Sequence, residues 1–359
     1  MKRVLFSILL ALPAAGDATC PSDVPVVTLA PQVVGAYRWS APVRPLGDPC
    51  ISHLIVERKN ENGWYAGGPN GLYVSRDGGK SWVKKLSGRV KTMRLTREGD
   101  NQIPFLYVAI GKELHLSRDR GRTFRRVFRY PHAISSLLVV GTTLYAGAHA
   151  DAPGMISGIY VSDLLGRNMS FERLDPSHGT LVVWDIAHDP KSNTLYASTE
   201  VSVEKPKIYH PPFFRSTDGG KTWKDVSGKF GADGKWNGIN HHVVEIAVRN
   251  DGFVYAMGEG SGVYGSADKG ESWVGPINSP GLGHAMWVDK NKQTRVYLGR
   301  VKFKLLTGGM FVSDDGGRSA TAIGLDGASI ADIAMNGEGT KLYVAAYGSG
   351  IYTSPAPHP

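Results

Sequence analysis

Side chains suited to proton transfer and to binding an anion are concentrated in long polar segments of the second half of the chain. Histidine and tyrosine can act as general base and acid, and a cation beside them can neutralise a carboxylate. We predict His241 or His242 as the base and Tyr209 as the acid of a site for acid–base chemistry. The residues that we predict to bind substrate are Arg300, Lys302, Trp236, His210, His284 and His149.

A second set of ionisable residues falls on short apolar segments that we expect to line the centre of the molecule. Alignment of these segments places seven residues at one level: His53, Thr92, Ser136, Asp185, Glu245, Ala285 and Asp332. Crowded carboxylates raise one another's pKa, which would permit acid–base chemistry. Asp185 and Glu245 are therefore further catalytic candidates, and a hydrated channel with paired charges is the alternative.

The histidines raise the question of a metal site. His241 and His242, with His210 and His284, are ligand types for zinc. Their spacing follows no short metal-binding motif, so we predict neither a metal nor an organic cofactor.

Composition and charge restrict the class of partner. The chain has 359 residues, 45 glycines, 42% hydrophobic residues and a formal charge of +9. A basic protein suits acidic partners, and we predict an acidic glycan or polysaccharide, with a protein partner as the alternative. No basic helix favours nucleic acid, no segment favours membrane insertion, and we expect a monomer.

The N-terminus has the pattern of a signal peptide. Lys2 and Arg3 precede an apolar run, and small residues follow it up to Ala18. We therefore predict that residues 1–18 are removed and that the protein is secreted or periplasmic. Export would place Cys20 and Cys50 in an oxidising compartment, where we expect a disulfide between them; two buried thiols are the alternative.

The chain is built from a repeat with the dimensions of a propeller blade. The third strand of each copy ends in serine, and these serines lie 42, 45, 54, 50, 47 and 41 residues apart: Ser75, Ser117, Ser162, Ser216, Ser266, Ser313 and Ser354. Four short strands in such a period predict an all-β, seven-bladed β-propeller of four-stranded antiparallel blades. We place this single domain at 19–359, with blades beginning near 51, 89, 133, 181, 241, 283 and 328.

The last copy ends after its third strand, so its fourth strand must come from elsewhere. Residues 36–46 precede the first complete copy, and Trp39 stands where Trp82 stands after the third strand of that copy. We therefore predict that the N-terminal segment 36–46 closes the last blade. Closure removes the open edge of the ring.

A short motif follows the third strand of most copies. Ser-x-Asp-x-Gly-x-x-Trp occurs in full at 75–82, 216–223 and 266–273, with altered copies elsewhere. It resembles the Asp-box, or BNR repeat, of the sialidase-like propellers. We expect its aspartates to accept backbone N–H groups within a turn, not to bind ligand: Asp77, Asp119, Asp218, Asp268 and Asp315.

The resemblance leaves the activity open. Catalytic sialidases carry an arginine triad with a Phe-Arg-Ile-Pro-like motif, which this chain lacks, so we do not expect sialidase activity. Other propellers of this kind act as glycosidases or polysaccharide lyases, whereas photosystem-assembly Asp-box proteins bind a protein partner. Long loops over blades 3 to 6 favour a carbohydrate site, and a non-catalytic binding or assembly propeller is the alternative.

Overall fold

The computed structural model describes residues 29–96, 104–149, 158–174, 181–201, 213–227, 243–258, 262–277, 283–302 and 307–357. The proposed signal peptide and Cys20 lie outside these ranges, while Cys50 is buried and disulfide-bonded. No helix in the described ranges is long and apolar enough to cross a lipid bilayer.

The described chain consists of antiparallel sheets whose strands follow one another in chain order. Blade 1 contains β3 (His53–Val56), β4 (Trp64–Gly68), β5 (Gly71–Ser75) and β6 (Val83–Ser87). Blade 2 contains β7 (Val90–Leu95), β8 (Leu106–Ile110), β9 (Glu113–Ser117) and β10 (Arg125–Arg129). Blade 3 contains β11 (Ala133–Val140), β12 (Thr143–His149), β13 (Gly158–Asp163) and β14 (Ser170–Arg173).

The remaining blades repeat this order. Blade 4 contains β15 (Leu181–Asp189), β16 (Thr194–Val201), β17 (Phe213–Ser216) and β18 (Lys224–Asp225). Blade 5 contains β19 (Val243–Val248), β20 (Val254–Gly258), β21 (Gly262–Ser266) and β22 (Val274–Ile277). Blade 6 contains β23 (Gly283–Val288), β24 (Val296–Arg300), β25 (Gly309–Ser313) and β26 (Thr321–Gly324). Blade 7 contains β27 (Ser329–Met335), β28 (Lys341–Tyr347) and β29 (Gly350–Pro355).

The first strands of the blades form a closed ring. Each first strand contacts the first strand of the next blade, and β27 of blade 7 contacts β3 of blade 1. The second strand of each blade is almost wholly buried, because the neighbouring blades cover both of its faces. The fourth strands are largely exposed, as in β6 and β10. The prediction of a seven-bladed propeller is confirmed.

The N-terminal segment closes blade 7, as the sequence predicts. Strands β1 (Gln32–Val34) and β2 (Tyr37–Trp39) pair with each other, and a 3-10 turn follows at Pro45–Gly47. Val43 and Ile351 exchange two backbone hydrogen bonds of 2.8 Å, which join the segment to β29. The Trp39 indole N–H also donates to the carbonyl of Ile323 in blade 6, at 2.6 Å.

The five Asp-boxes with an aspartate at the motif position share one hydrogen-bonded turn. In blade 1, Ser75 Oγ donates to Asp77 at 2.8 Å and accepts the Gly79 N–H at 2.9 Å. Asp77 also accepts the backbone N–H of Ser81, and the Trp82 indole donates to the Gly79 carbonyl. Equivalent bonds surround the other four carboxylates: Asp119, Asp218, Asp268 and Asp315.

The boxes also join neighbouring blades. A buried tyrosine lies near the start of every second strand, at its second or third position: Tyr65, Tyr107, Tyr145, Tyr196, Tyr255, Tyr297 and Tyr343. The Tyr145 hydroxyl of blade 3 donates to the Gly219 carbonyl in the box of blade 4, at 3.0 Å. Gly220 has a φ of +89°, and a Cβ there would lie 3.0 Å from the Tyr145 ring. Glycine therefore lets this turn lie against the preceding blade.

Replacement of Trp39 tests the closure of blade 7. We expect Trp39→Ala to lower the free energy of unfolding by about 3 to 5 kcal/mol, because it removes a buried indole and its hydrogen bond across blades. Urea denaturation followed by fluorescence measures this loss. Arg38→Gln is the control, since Arg38 is exposed in the same strand. Equal stability of Trp39→Ala and the wild type would contradict this closure.

Candidate functional site

His241, His242, Tyr209, His210 and Trp236 lie outside the described residues. Their catalytic or binding roles therefore stay predictions. The described candidates are distributed between the centre of the ring and the ends of second strands.

A β-bulge recurs in the first strands and sets the polar lining of the ring. The pairing of first and second strands skips one residue in six blades, at Lys91, Ser135, Trp184, Val244, His284 and Ala331. The residues directly after the bulge are Thr92, Ser136, Asp185, Glu245, Ala285 and Asp332, which are those aligned from the sequence. The bulge fixes which side chains stand at this level, because it changes the direction of the strand locally.

The carboxylates at this level bind the backbone of the next blade. Asp185 of blade 4 accepts the N–H of Ile246 in blade 5, at 2.9 Å. Glu245 of blade 5 accepts the N–H of Met286 in blade 6, at 2.5 Å. Each carboxylate therefore has a structural role as an acceptor between first strands.

Asp332 repeats the arrangement where the ring closes. One oxygen of Asp332 accepts the N–H of Leu54 in blade 1 at 2.7 Å, and the other accepts the N–H of Ile333 at 2.8 Å. Histidines make comparable links at two other junctions. His53 hydrogen-bonds the backbone of Lys91, and His284 hydrogen-bonds the backbone of Ala331.

The carboxyl and histidine side chains of the first strands are half-buried, since they face the inside of the ring. Burial raises the pKa of Glu245 well above its usual range, and the charges of Asp185 and Asp332 add to this effect. Burial also raises the pKa of Asp185, and that of Asp332 to about 7. Burial, followed by the charges of His284 and Lys91, lowers the pKa of His53 to about 4. The environment thus shifts the three carboxyl groups and the imidazole of His53 towards their neutral forms.

Arg300 is a buried arginine at the end of the second strand of blade 6. It ends β24, is 6% exposed, and lies with its guanidinium carbon 3.5 Å from the centre of the Phe311 ring. Its Nε and Nη2 atoms have no hydrogen-bond partner in the described structure. Burial lowers the pKa of Arg300 to about 10, so the side chain remains charged at neutral pH.

Comparison of the blades shows that the fold does not require arginine at this position. Arg300 pairs with Gly283, the residue just before the bulge. The equivalent partners in five other blades are small or apolar, or a buried threonine: Ile110, Ala148, Thr199, Gly258 and Ala346. The Nδ1 atom of His284, next to Gly283, is also buried without a hydrogen-bond partner among the described residues.

The other described candidates lie at the same end of their blades. Lys302 is exposed, and its backbone N–H donates to Ser329 in blade 7. His149 pairs with Val182 and thereby joins the sheets of blades 3 and 4. Sequence reasoning left Glu200 out of the site set, although burial raises its pKa to about 6. No cluster of metal-ligating side chains occurs in the described ranges.

The fold and the repeated turn define the class of the protein. A model of the BNR/Asp-box repeat matches residues 214–225, which contain the box of blade 4. The chain is therefore a β-propeller with Asp-box turns, and one of these turns matches the model of that repeat.

The sequence is similar to one part of a larger protein. The chain is 25% identical over 273 residues to the xyloglucanase Xgh74A of Acetivibrio thermocellus. The match covers 67% of this chain and 28% of that protein. The chain thus spans less than a third of the length of this curated relative.

Solved structures with the same fold include both enzymes and binding proteins. YCF48 bound to a D1 peptide has a TM-score of 0.60 at 16% identity, with 93% of this chain and 99% of that chain covered. YCF48 from Cyanidioschyzon merolae gives a TM-score of 0.61 at 16% identity over 89% and 98%. The GH74 xyloglucanase of Xanthomonas campestris gives 0.65 at 16% identity over 88% and 53%. At these identities the similarity shows the fold alone.

The buried carboxyl group of Asp332 predicts an unusual pH dependence of stability. Its folded pKa of about 7 lies above the ordinary value, so the folded state holds a proton that the unfolded state has released. The contribution of this residue to the free energy of unfolding should therefore be full below about pH 4, and it should be lost as the pH rises through about 7.

Urea denaturation at pH 4.5 and pH 8 measures this effect. Relative to the wild type, Asp332→Asn should remove part of the decrease in stability between the two values, since the amide does not titrate. Glu338→Gln, at an exposed carboxylate, is the matched control and should leave the decrease unchanged. An identical decrease in Asp332→Asn and the wild type would show that Asp332 does not titrate in this window.

Proposed function

We propose that the chain is a recognition propeller that binds a carboxylate-bearing ligand beside Arg300, and that this ligand is an acidic glycan. The observation that carries the proposal is the buried, charged guanidinium of Arg300 with two nitrogens lacking a partner in the described structure. A buried polar group without a hydrogen bond costs about 1 to 3 kcal/mol, and more when it is charged. A ligand carboxylate would remove this cost.

The chemistry of the group fits an oxyanion. The guanidinium is a planar fork of N–H donors, and it binds a carboxylate through two parallel hydrogen bonds. Phe311 covers one face of Arg300 and fixes its orientation, since the guanidinium lies against the ring. An orientation held before binding reduces the entropy that the ligand must overcome. Lys302 follows on the same segment and would add positive charge near the ligand.

Two observations favour a glycan as the bearer of the carboxylate. The curated relative with 25% identity is named a xyloglucanase. The chain has a formal charge of +9, which suits an acidic polymer. Export to a secreted or periplasmic location, proposed from residues 1–18, would bring the protein to such polymers.

The second candidate function is recognition of a protein segment with a free carboxylate. A solved propeller that matches 93% of this chain is bound to a peptide. The site beside Arg300 would then receive the terminal carboxylate of the partner. A titration with a uronic acid oligosaccharide, and another with a peptide carrying a free or amidated C-terminus, separate the two candidates.

Cleavage of the ligand would need a proton donor and acceptor in addition to the anion site. Asp185 and Glu245 already accept backbone N–H groups between blades, which favours a structural role for both. We propose cleavage only through His241 or His242 as the base and Tyr209 as the acid, as the sequence pattern indicates.

Removal of the charge at Arg300 should separate binding from stability. We expect Arg300→Met to weaken binding of a uronic acid oligosaccharide at least about tenfold, because the charged hydrogen bonds to the carboxylate are lost. The same variant should be as stable as the wild type or more stable, since it no longer buries an unpaired charge. Calorimetric titration and urea denaturation measure the two effects.

Arg318→Met is the matched control for this experiment. Arg318 is an exposed arginine in the box of blade 6, and its replacement should change neither quantity. Loss of stability in Arg300→Met with unchanged binding would show that Arg300 is a structural residue and would refute the proposed site.

A screen for turnover tests the enzymatic step. Acidic polysaccharides are incubated with the protein, and both reducing ends and unsaturated products are measured. We expect binding without either product if recognition is the whole function. Product formation that His242→Ala abolishes would instead establish cleavage with His242 as a participant.

A further inference from the structure

The outer wall of blade 2 carries a dense group of arginines that takes no part in the proposed site. Residues 118–129 contain six arginines, no lysine and a single aspartate. We call these arginines the arginine strip: Arg118, Arg120, Arg122, Arg125, Arg126 and Arg129. Three of them lie on β10, the outermost strand of the blade, and three lie in the box that precedes it.

The carboxylates near the strip are already engaged. Asp119 accepts hydrogen bonds from Ser117 and Thr123 inside the box. Glu113 pairs with Arg126 at 2.7 Å. Glu57 pairs with Arg76 at 2.6 Å and lies 3.9 Å from Arg120.

Much of the charge of the strip therefore faces solvent without a counterion. Arg118, Arg122 and Arg125 are exposed and form no ion pair with another described residue, while Arg129 is exposed opposite Glu113 and its charge helps to lower the pKa of that carboxyl group. The backbone of β10 is held in place by its pairing with β9, so Arg125 and Arg129 are presented from a paired strand, whereas Arg118 and Arg122 lie in the box before it. From Arg125 to Arg129 the strand extends about 13 Å, at about 3.3 Å per residue.

The apolar residues of the same segment do not contribute to this surface. Phe128 and Val127 pack against the core between blades 2 and 3, and Phe124 packs against the core between blades 1 and 2. Among the described residues of the strip, no exposed aromatic ring could stack on a nucleic acid base, and no exposed apolar side chain could insert into a lipid layer. The exposed guanidinium groups of the strip are therefore the groups of this surface that are available to a ligand.

From this surface we infer that the outer wall of blade 2 binds a linear acidic polysaccharide. Arginine suits this ligand because its planar donors match carboxylate and sulfate groups. Several such groups recur along an acidic polysaccharide, and several arginines recur along the strip. The surface lies on a different blade from Arg300, so this proposal does not depend on the site proposed beside Arg300.

Binding to defined polymers at several salt concentrations tests the proposal. Dextran sulfate and polygalacturonate are the probes, with uncharged dextran as the matched neutral polymer. We expect both acidic polymers to bind the full chain, dextran not to bind, and the affinity to fall as salt increases. Duplex DNA and phosphatidylglycerol vesicles are measured under the same conditions. Equal or tighter binding of either would overturn the assignment to a polysaccharide.

Charge removal on the strip supplies the site-specific test. The double variant Arg125→Gln, Arg129→Gln should bind dextran sulfate about tenfold more weakly and with a shallower salt dependence. The double variant Arg38→Gln, Arg318→Gln removes the same charge from exposed positions outside the strip and should lose less than about twofold. An equal loss in both variants would show that net charge alone is responsible, and no loss in the first would exclude the strip.

The Arg300→Met variant keeps the two proposals separate. It should bind dextran sulfate as the wild type does, since the strip is intact. A loss of dextran sulfate binding in Arg300→Met, with none in the strip variant, would overturn the strip and place the polymer at Arg300.

Discussion

The structure depends on the contact between one blade and the next. A four-stranded blade has two faces, and its second strand is apolar on both, so a single blade cannot bury its own core. Each blade is completed by its neighbours, and only a closed ring completes all of them. This explains why the N-terminal segment returns to blade 7, where Val43 bonds to Ile351.

Two sets of polar contacts supplement this packing, and they respond to pH in opposite ways. Hydrogen bonds within the turn hold the pKa of Asp77 at about 2, so the box is stabilised above about pH 4 and loses that contribution as the pH falls through about 2. Burial at the centre of the ring raises the pKa of Asp332 to about 7, and its contribution is greatest at low pH. Acidification is therefore expected to weaken the contribution of the box at Asp77, whereas a rise of the pH through about 7 is expected to weaken that of Asp332 in the ring.

The sequence predicted the elements that repeat. Serines at the ends of the third strands predicted the blade count, and the aspartate of the box predicted the turn that five of the blades share. Alignment of the first strands also placed Asp185 and Glu245 at one level. It could not show that each carboxylate binds the backbone of the next blade, because the bulge that directs it is a property of strand pairing. The tyrosine contact between Tyr145 and the next box was missed for a similar reason, although tyrosine recurs in all seven second strands.

Function is best sought where the blades differ. Seven copies of one unit form an internal comparison: a residue type that recurs at one position serves the fold, whereas a residue type found in one blade alone needs another reason. Arg300 meets this criterion, since Ile110, Ala148 and Gly258 occupy its position in other blades. The fold tolerates a buried charge there at a cost that the architecture does not require, and this is the reason for proposing a ligand at Arg300. The same comparison distinguishes a structural residue from a candidate functional one. Asp77 is structural, because an aspartate stands at its position in every intact box, whereas no turn or core contact explains Arg125.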